Sequence, residues 1–385
     1  MKYLKRAINY FRLHGLILTF KRAVSKVARK ITGKRKQKTI YYKDGLIHLA
    51  FFPTGGLGDY IISKAVLEDI IDETDCVVTI YCDKKEFAKS VYRDVSEIYN
   101  SYSDFDMEFY KYDLSLRVEH FVHVEGYKRE KLAKYAPKLL SRIEYIVNNW
   151  DKLYVNVEQQ WFRERIQFER CKIQGLDRWT ELRMGEAFKI EDHIVNIPLD
   201  KDEKIRWSKE NSGTKYITIN CGADEMIPGR SQLKVWSRDN YRELIGLIKE
   251  YFSDVQIIQL GDKKTKVIEG VDRSVLGEKL EYVKHILRGS TCHIDCEGGL
   301  VHLATQLGTK CIVLFGPTQL DMYAYDQNTN LVSSRCSGCM GLHEKWAYDC
   351  LINYESPLCM SDISTKKVFD ELIKVLENEN NKQVN

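Results

Sequence analysis

Three short segments combine glycine-rich turns with residue types that could do chemistry. Pro53-Thr54-Gly55-Gly56-Leu57-Gly58-Asp59 is a glycine-rich turn that ends in a carboxylate. Its glycines let another group approach the backbone, and Asp59 would then stand at the mouth of a cleft. Glu297-Gly298-Gly299-Leu300-Val301-His302-Leu303-Ala304 places two glycines directly ahead of a helical pattern. Free N–H groups at such a helix start favour a diphosphate, and Glu297 could hold sugar or ribose hydroxyls. Phe315-Gly316-Pro317-Thr318 repeats the arrangement of strand end and turn, and Lys234 follows the loop ADEMIPGRSQ, where it could neutralise phosphate charge. None of these matches the dinucleotide-binding G-x-G-x-x-G or the G-x-x-x-x-G-K-[ST] phosphate loop, which disfavours a dehydrogenase.

Each residue also has a plainer reading. Asp59 is a favoured residue type at a helix start and could serve only as a cap. His302 could be a satisfied core histidine, Lys234 a solvated loop lysine, and Trp236 a packing residue rather than a platform for a base. Cys336, Cys339, Cys350 and Cys359 are spaced C-x2-C-x10-C-x8-C. Four thiolates at such intervals could bind a structural Zn²⁺ or iron, or could simply be reduced thiols. Cys221, Cys292, Cys296 and Cys311 read as small buried hydrophobes.

The elements that would position these groups are legible in outline. Gly45–Phe52 reads as a buried strand, Tyr60–Ile71 as a helix and Cys76–Tyr81 as a second strand, the opening of a parallel sheet. Residues 82–195 are rich in Tyr, Glu, Lys and Arg, with helical patterns near 128–148 and 156–170. The polar stretch 198–213 is the expected boundary. Beyond it strands are expected at Tyr216–Cys221, Val255–Leu260, Cys292–Asp295 and Cys311–Phe315. Helices are expected at Arg238–Tyr251, Leu280–Leu287, Leu300–Leu307 and near 363–380. That alternation is the pattern of a doubly wound α/β sheet. The division expected is an arm at 1–40, a first Rossmann-like domain at 41–205 and a second at 206–385 that carries the cysteine-rich segment 336–359.

Length and composition agree with this plan. A chain of 385 residues is long enough for two cores, and 44% apolar with 30% charged residues is ordinary for a globular protein. The net charge of +4 is unevenly spread: residues 1–38 hold 13 Lys or Arg and no acid, leaving −9 on the rest. The body lacks the interleaved basic and aromatic patches of a nucleic-acid binder. Leu13, Ile17, Phe20, Val24, Val27 and Ile31 form one apolar stripe on this basic arm. Such a helix either lies in an anionic membrane interface or packs on the body with a solvated basic face. The charge-free run Leu13–Phe20 is too short to span a bilayer and has no cleavage site after it. Eleven cysteines, an odd number, do not look like a disulfide framework, so the cytoplasm is the expected compartment.

Taken together, the motifs resemble those of the heptosyltransferase-like glycosyltransferases, family 9, over roughly residues 46–365. The family's G-D element appears as Gly58-Asp59, its K-x-W element as Lys234-Val235-Trp236, and its D-[ST]-G-x-x-H-[LI]-A signature as Glu297–Ala304. Its L-F-G-[PA]-T signature is Leu314–Thr318, and the tail ends as Cys359-Met360-Ser361-Asp362-Ile363. The resemblance implies a GT-B fold, two Rossmann-like domains facing across a cleft, and inverting transfer without a divalent ion. By carry-over Asp59 would be the general base, a role that suits a carboxylate if the cleft desolvates it enough to bring its pKa nearer neutrality. Thr54, Gly55, Gly56 and Gly58 would form its loop. Lys234, Glu297, Gly298, Gly299, His302, Gly316, Pro317, Thr318 and Gly222 would bind the donor. Glu297 and Gly298 depart from the family's Asp and Ser or Thr, so a donor other than ADP-heptose becomes plausible. Some relatives carry an iron-binding cysteine finger, which keeps Zn or Fe at the four cysteines in view. The acceptor implied is a glycan or glycolipid of lipopolysaccharide type, with the basic arm touching the inner membrane face. A sugar-nucleotide epimerase or hydrolase of the same fold, or a non-catalytic nucleotide-sugar-binding protein, are the rival readings.

Overall fold

The computed structural model describes residues 45–155, 160–211, 213–222, 232–352 and 356–384, with side chains omitted at 160–163 and 378–384. The basic arm expected at 1–40 and most of the ADEMIPGRSQ loop therefore lie outside the described residues. Two sheets organise the rest. The first has the order β3-β2-β1-β4-β5, built from Ile47–Pro53 (β1), Cys76–Cys82 (β2), Ile98–Ser101 (β3), Leu114–Val118 (β4) and Val122–Tyr127 (β5). The second has the order β11-β10-β9-β6-β7-β8. Its strands are Tyr216–Asn220 (β6), Gln256–Gly261 (β7), Arg273–Leu276 (β8), His293–Cys296 (β9), Cys311–Phe315 (β10) and Thr329–Val332 (β11).

Continuous apolar runs explain the central strands. Ile47–Phe51 and Cys311–Phe315 are buried along their length, as strands covered by helices on both faces must be. Every pairing in the second sheet is parallel, so the doubly wound expectation holds there in full. The first sheet differs at one edge, where β5 runs antiparallel to β4. The turn between them, Glu119–Phe121, is too short for the helical crossover that a parallel neighbour would need. The edge strands β3, β8 and β11 have only four residues each and little apolar periodicity, which is why the sequence does not announce them.

Strand order reverses once in each sheet: between β1 and β4 in the first, and between β6 and β9 in the second. In open parallel sheets ligands collect at such points, beyond the C-terminal ends of the strands. The turns that hold Asp59 and Glu297 leave β1 and β9 at these two places.

The helix Leu57–Glu73 follows the first turn and the helix Gly299–Gln306 the second, and the two pack on each other across the cleft. The polar stretch expected as a boundary contains the helix Lys201–Glu210, capped by Asp200, whose carboxylate accepts from Asp202 and Glu203 N–H. Its Trp207 packs edge-on against Tyr216 and Tyr282 of the second half, so the division expected at 205/206 falls inside this helix. Buried Lys284 also joins the halves, donating to the Ser90 carbonyl at 3.1 Å, while Arg93 pairs with Asp200 at 2.8 Å.

Candidate active site

Backbone geometry accounts for the first turn. Thr54 N–H donates to the Val118 carbonyl at 3.0 Å, which ties the end of β1 to the end of β4. Gly55 has φ +99°, and a Cβ there would collide with the Asp59 carboxylate. Gly56 N–H donates to Asp59 Oδ2 at 2.8 Å, closing the first turn of the Leu57–Glu73 helix. Asp59 therefore does cap the helix, but with one oxygen. Its Oδ1 accepts from Arg178 Nη2 at 2.9 Å, and the side chain keeps 33% of its exposure.

Arg178 sets the electrostatics. Its side chain is 1% exposed, and its guanidinium also donates to Glu181 Oε1 at 2.8 Å and to the Glu119 carbonyl at 3.1 Å. Glu181 is fully buried and takes a further bond at 2.7 Å from the His120 ring. Burial by itself would raise the Asp59 carboxyl, but the Arg178 guanidinium, His120 and the Gly56 N–H together hold it below the usual carboxylate range. This corrects the expectation that desolvation would bring the group nearer neutrality. A neighbouring permanent cation outweighs the loss of water. Glu181 likewise raises the His120 imidazole against the opposing effect of burial.

On the opposite side Glu297 is 7% exposed, with Lys234 Nζ 3.8 Å from one oxygen and His302 Nε2 3.5 Å from the other. Burial would raise this carboxyl too, yet Lys234 and His302 bring it below its ordinary value. His302 is itself buried and its Nδ1 lies 2.6 Å from the Tyr325 hydroxyl, so the core reading and the site reading describe one residue. Thr318 is 3% exposed, and among the described residues its buried hydroxyl has no hydrogen-bond partner. Trp236 is fully buried, donates from its ring N–H to the Ile363 carbonyl at 2.9 Å and packs on Tyr241, as a packing residue would.

The two turns meet. A Cβ on Gly58 would stand 2.5 Å from His302 Cδ2, and one on Gly299 would stand 2.8 Å from Leu57 Cβ. Asp59 and Glu297 are close enough for the charge on Asp59 to raise Glu297. The fold thus gathers Thr54 to Asp59, Lys234, Glu297, Gly298, Gly299 and His302 around one cleft. Gly316 and Pro317 are held from behind. Their carbonyls accept from Gly338 and Met340 N–H, and Gly316 backs onto Met360, so this turn is held by the cysteine-rich segment. Gly222 follows β6, where its carbonyl accepts from Asn220.

The four cysteines of the tail are drawn together. The Cys359 thiol is pushed up to about 12 by burial and by Cys336, Cys339 and Cys350 nearby. Their donor chemistry suits Zn²⁺ or iron, but among the described residues no group of three or more His, Cys, Asp or Glu side chains is arranged to hold a metal ion. Sequence reading missed Arg178, Glu181, His120 and Tyr325. Arg178 lies in a polar stretch with no helical or strand period, so only its burial in the folded chain distinguishes it from the other basic residues there.

Residues 176–347 match the model of glycosyltransferase family 9 (heptosyltransferase). Among solved structures, the ADP-heptose LPS heptosyltransferase II of E. coli superposes with a TM-score of 0.54 at 13% identity, covering 87% of this chain and 100% of that one. A family 9 glycosyl transferase of Veillonella parvula gives 0.51 at 14% identity, with coverage of 86% and 97%. The iron-containing dodecameric heptosyltransferase TibC, in complex with ADP-D-beta-D-heptose, gives 0.53 at 13% identity, with coverage of 87% and 77%. At these identities the likeness is one of fold, two sheet-cored domains facing across a cleft. No curated protein matches the sequence significantly.

Proposed function

Residues 176–347 match the family 9 glycosyltransferase model, and from that premise we propose that the chain is an inverting glycosyltransferase that needs no catalytic metal ion. The donor is a nucleoside diphosphate sugar, ADP-heptose or another of that type, held by the second domain, residues 206–385. The acceptor is a hydroxyl of a glycan, lipid-linked or of lipopolysaccharide type, held by the first domain, residues 41–205. One observation carries the reading. An ionised carboxylate, Asp59, stands across a closed contact from the Lys234–Glu297 pair, at the reversal points of both sheets.

The residues divide the work as follows. As the acceptor oxygen bonds to the anomeric carbon, the bond from that carbon to the diphosphate oxygen breaks, and its electron pair leaves with the nucleoside diphosphate. The acceptor proton passes to Asp59. A carboxylate held below its usual range is a modest base, but it is fully ionised at neutral pH, and the attacking oxygen becomes strongly acidic as its new bond forms. Lys234, the N–H groups of Gly298 and Gly299, and the Thr318 hydroxyl, unpartnered among the described residues, stabilise the departing diphosphate, the role a divalent ion plays elsewhere. Glu297 and His302 would hold sugar hydroxyls, and Gly222 and the 316–318 turn complete the donor wall. Cys336, Cys339, Cys350 and Cys359 lie in the segment behind that wall, and elemental analysis for Zn and Fe tests whether they hold a structural metal. No described helix is long and apolar enough to cross a membrane. Contact with the inner membrane face is assigned to the basic arm at 1–40.

The test is release of nucleoside diphosphate from a panel of nucleotide sugars, ADP-heptose included, in EDTA with membrane extract from the protein's own source. Release that needs both extract and Asp59, judged against Asp59→Asn, supports the transferase. Release without any acceptor instead indicates an epimerase or hydrolase. Diphosphate binding without release from any donor indicates a non-catalytic binding protein.

A further inference from the structure

Arg178 has no part in the transfer step described above, yet it is the most buried charged side chain in contact with Asp59. It opens a strap, residues 176–197, that touches both domains. Leu182, Phe188 and Ile190 of the strap belong to the main hydrophobic core, and Arg142 Nε donates to the Ala187 carbonyl. At its start the strap leans on the second half. Arg178 N–H donates to the Met322 carbonyl at 3.0 Å, and Trp179 Nε1 to the Tyr325 hydroxyl at 3.3 Å. That hydroxyl lies 2.6 Å from His302 Nδ1, and His302 faces Glu297. The neighbouring residues Arg178 and Trp179 thus join the acceptor-side carboxylate to the donor-side histidine.

We propose that Arg178 is a positioning residue for the reaction, fixing the Asp59 carboxylate plane from one side while the Gly56 N–H fixes it from the other, and that its seat on Met322 makes this alignment depend on the domains being closed. The inference rests on the reading of Asp59 as the base. Each carboxylate oxygen has more than one acceptor position, so one bond to Gly56 and one to Arg178 orient the group without saturating it. Arg178 is held in turn by Glu181 and the Glu119 carbonyl, so the guanidinium cannot swing away to bind an anion in the cleft. Pairing by Glu181 offsets much of the cost of burying the guanidinium, and it leaves the second amino group for Asp59 and Glu119.

Charged and titratable groups reach Asp59 from every side: Arg178 and Glu181 from the strap, His120 from the β4–β5 turn, and Tyr92 from the helix Lys85–Tyr92. Glu297, His302 and Tyr323 complete the surroundings from the second half. Removing Arg178 alone would leave buried Glu181 without its guanidinium partner, so the informative variant is Arg178→Gln combined with Glu181→Gln, with Arg178→Lys as the conservative partner. Asp59 is followed directly by carboxyl ¹³C NMR titration, its resonance identified by loss in Asp59→Asn. Transfer is followed as diphosphate release, and ADP and UDP affinities by calorimetry.

In the double variant the Asp59 resonance is expected to titrate at higher pH, kcat to fall about 10²-fold and nucleotide affinity to stay within about threefold. Arg178→Lys is expected to restore part of both the titration and kcat. An Asp59 titration unchanged in the double variant, or nucleotide affinity lost in step with kcat, overturns the proposal. If Asp59→Asn keeps full transfer, the base reading itself fails. If Asp59→Asn is inactive while the double variant keeps wild-type kcat, only the role of Arg178 fails.

Discussion

Gly58 of the first domain lies so close to His302 of the second that a side chain on Gly58 would press into the imidazole, its Cβ 2.5 Å from Cδ2. Backbone of one half is therefore packed against a donor-side side chain of the other, and the contact leaves no room for even one methyl group.

Gly58→Ala should separate the two turns. Overpacking of this kind typically costs about 1–3 kcal/mol, and here domain opening relieves it. The expected result is a fall in kcat with a melting temperature near that of wild type. A variant with unchanged kcat would show that the closed contact is not used in turnover.

Lys234→Ala leaves Glu297 buried without its cation and removes a charge from the diphosphate seat. Loss of a charged hydrogen bond is worth about 2 kcal/mol, or about 30-fold in affinity. Calorimetry with the nucleoside diphosphate of the active donor should show that weakening, and adding EDTA should change neither protein's affinity.

His120 offers a pH test of the buried network. Its imidazole is raised above the ordinary histidine value by Glu181, which overcomes the opposing effect of burial. A group raised on folding contributes stability that is full below the unfolded value, about 6.5, and is lost as pH rises through the folded one. The melting-temperature gap between wild type and His120→Gln should therefore be widest near pH 5.5 and should narrow above neutrality. A gap independent of pH would mean that the charge contributes nothing.

Trp236→Phe separates packing from base recognition. The substitution removes the bond to the Ile363 carbonyl and part of the contact with Tyr241, at a cost of about 1–2 kcal/mol. Chemical denaturation should register that loss while nucleotide affinity holds. A large drop in affinity with normal stability would point to a ring that touches the base.

Much of this was legible in the sequence because the signals are local. The helix Arg238–Tyr251 and the strand Cys311–Phe315 carry unbroken periodicities, and both stand where their patterns placed them. Gly55 and Gly56 announce a turn whose geometry only glycine tolerates at Gly55, and Asp59 follows at capping distance. The strand β5 was not legible, since an edge strand with half-buried residues has no strong alternation, and its direction depends on the length of a turn. Nor was the state of Asp59, whose two oxygens answer to residues 3 and 119 positions away.

By itself the sequence determined the alternation of strands and helices, the glycine turns at the strand ends and the order of the donor motifs, because backbone sterics and hydrophobic period act over a few neighbours. Only the tertiary structure decided that Arg178 pairs with the Asp59 carboxylate, and that Lys234 and His302 share Glu297. Electrostatic energy depends on distance in space and on the water removed between groups. Both quantities come into existence when the two sheets close on each other.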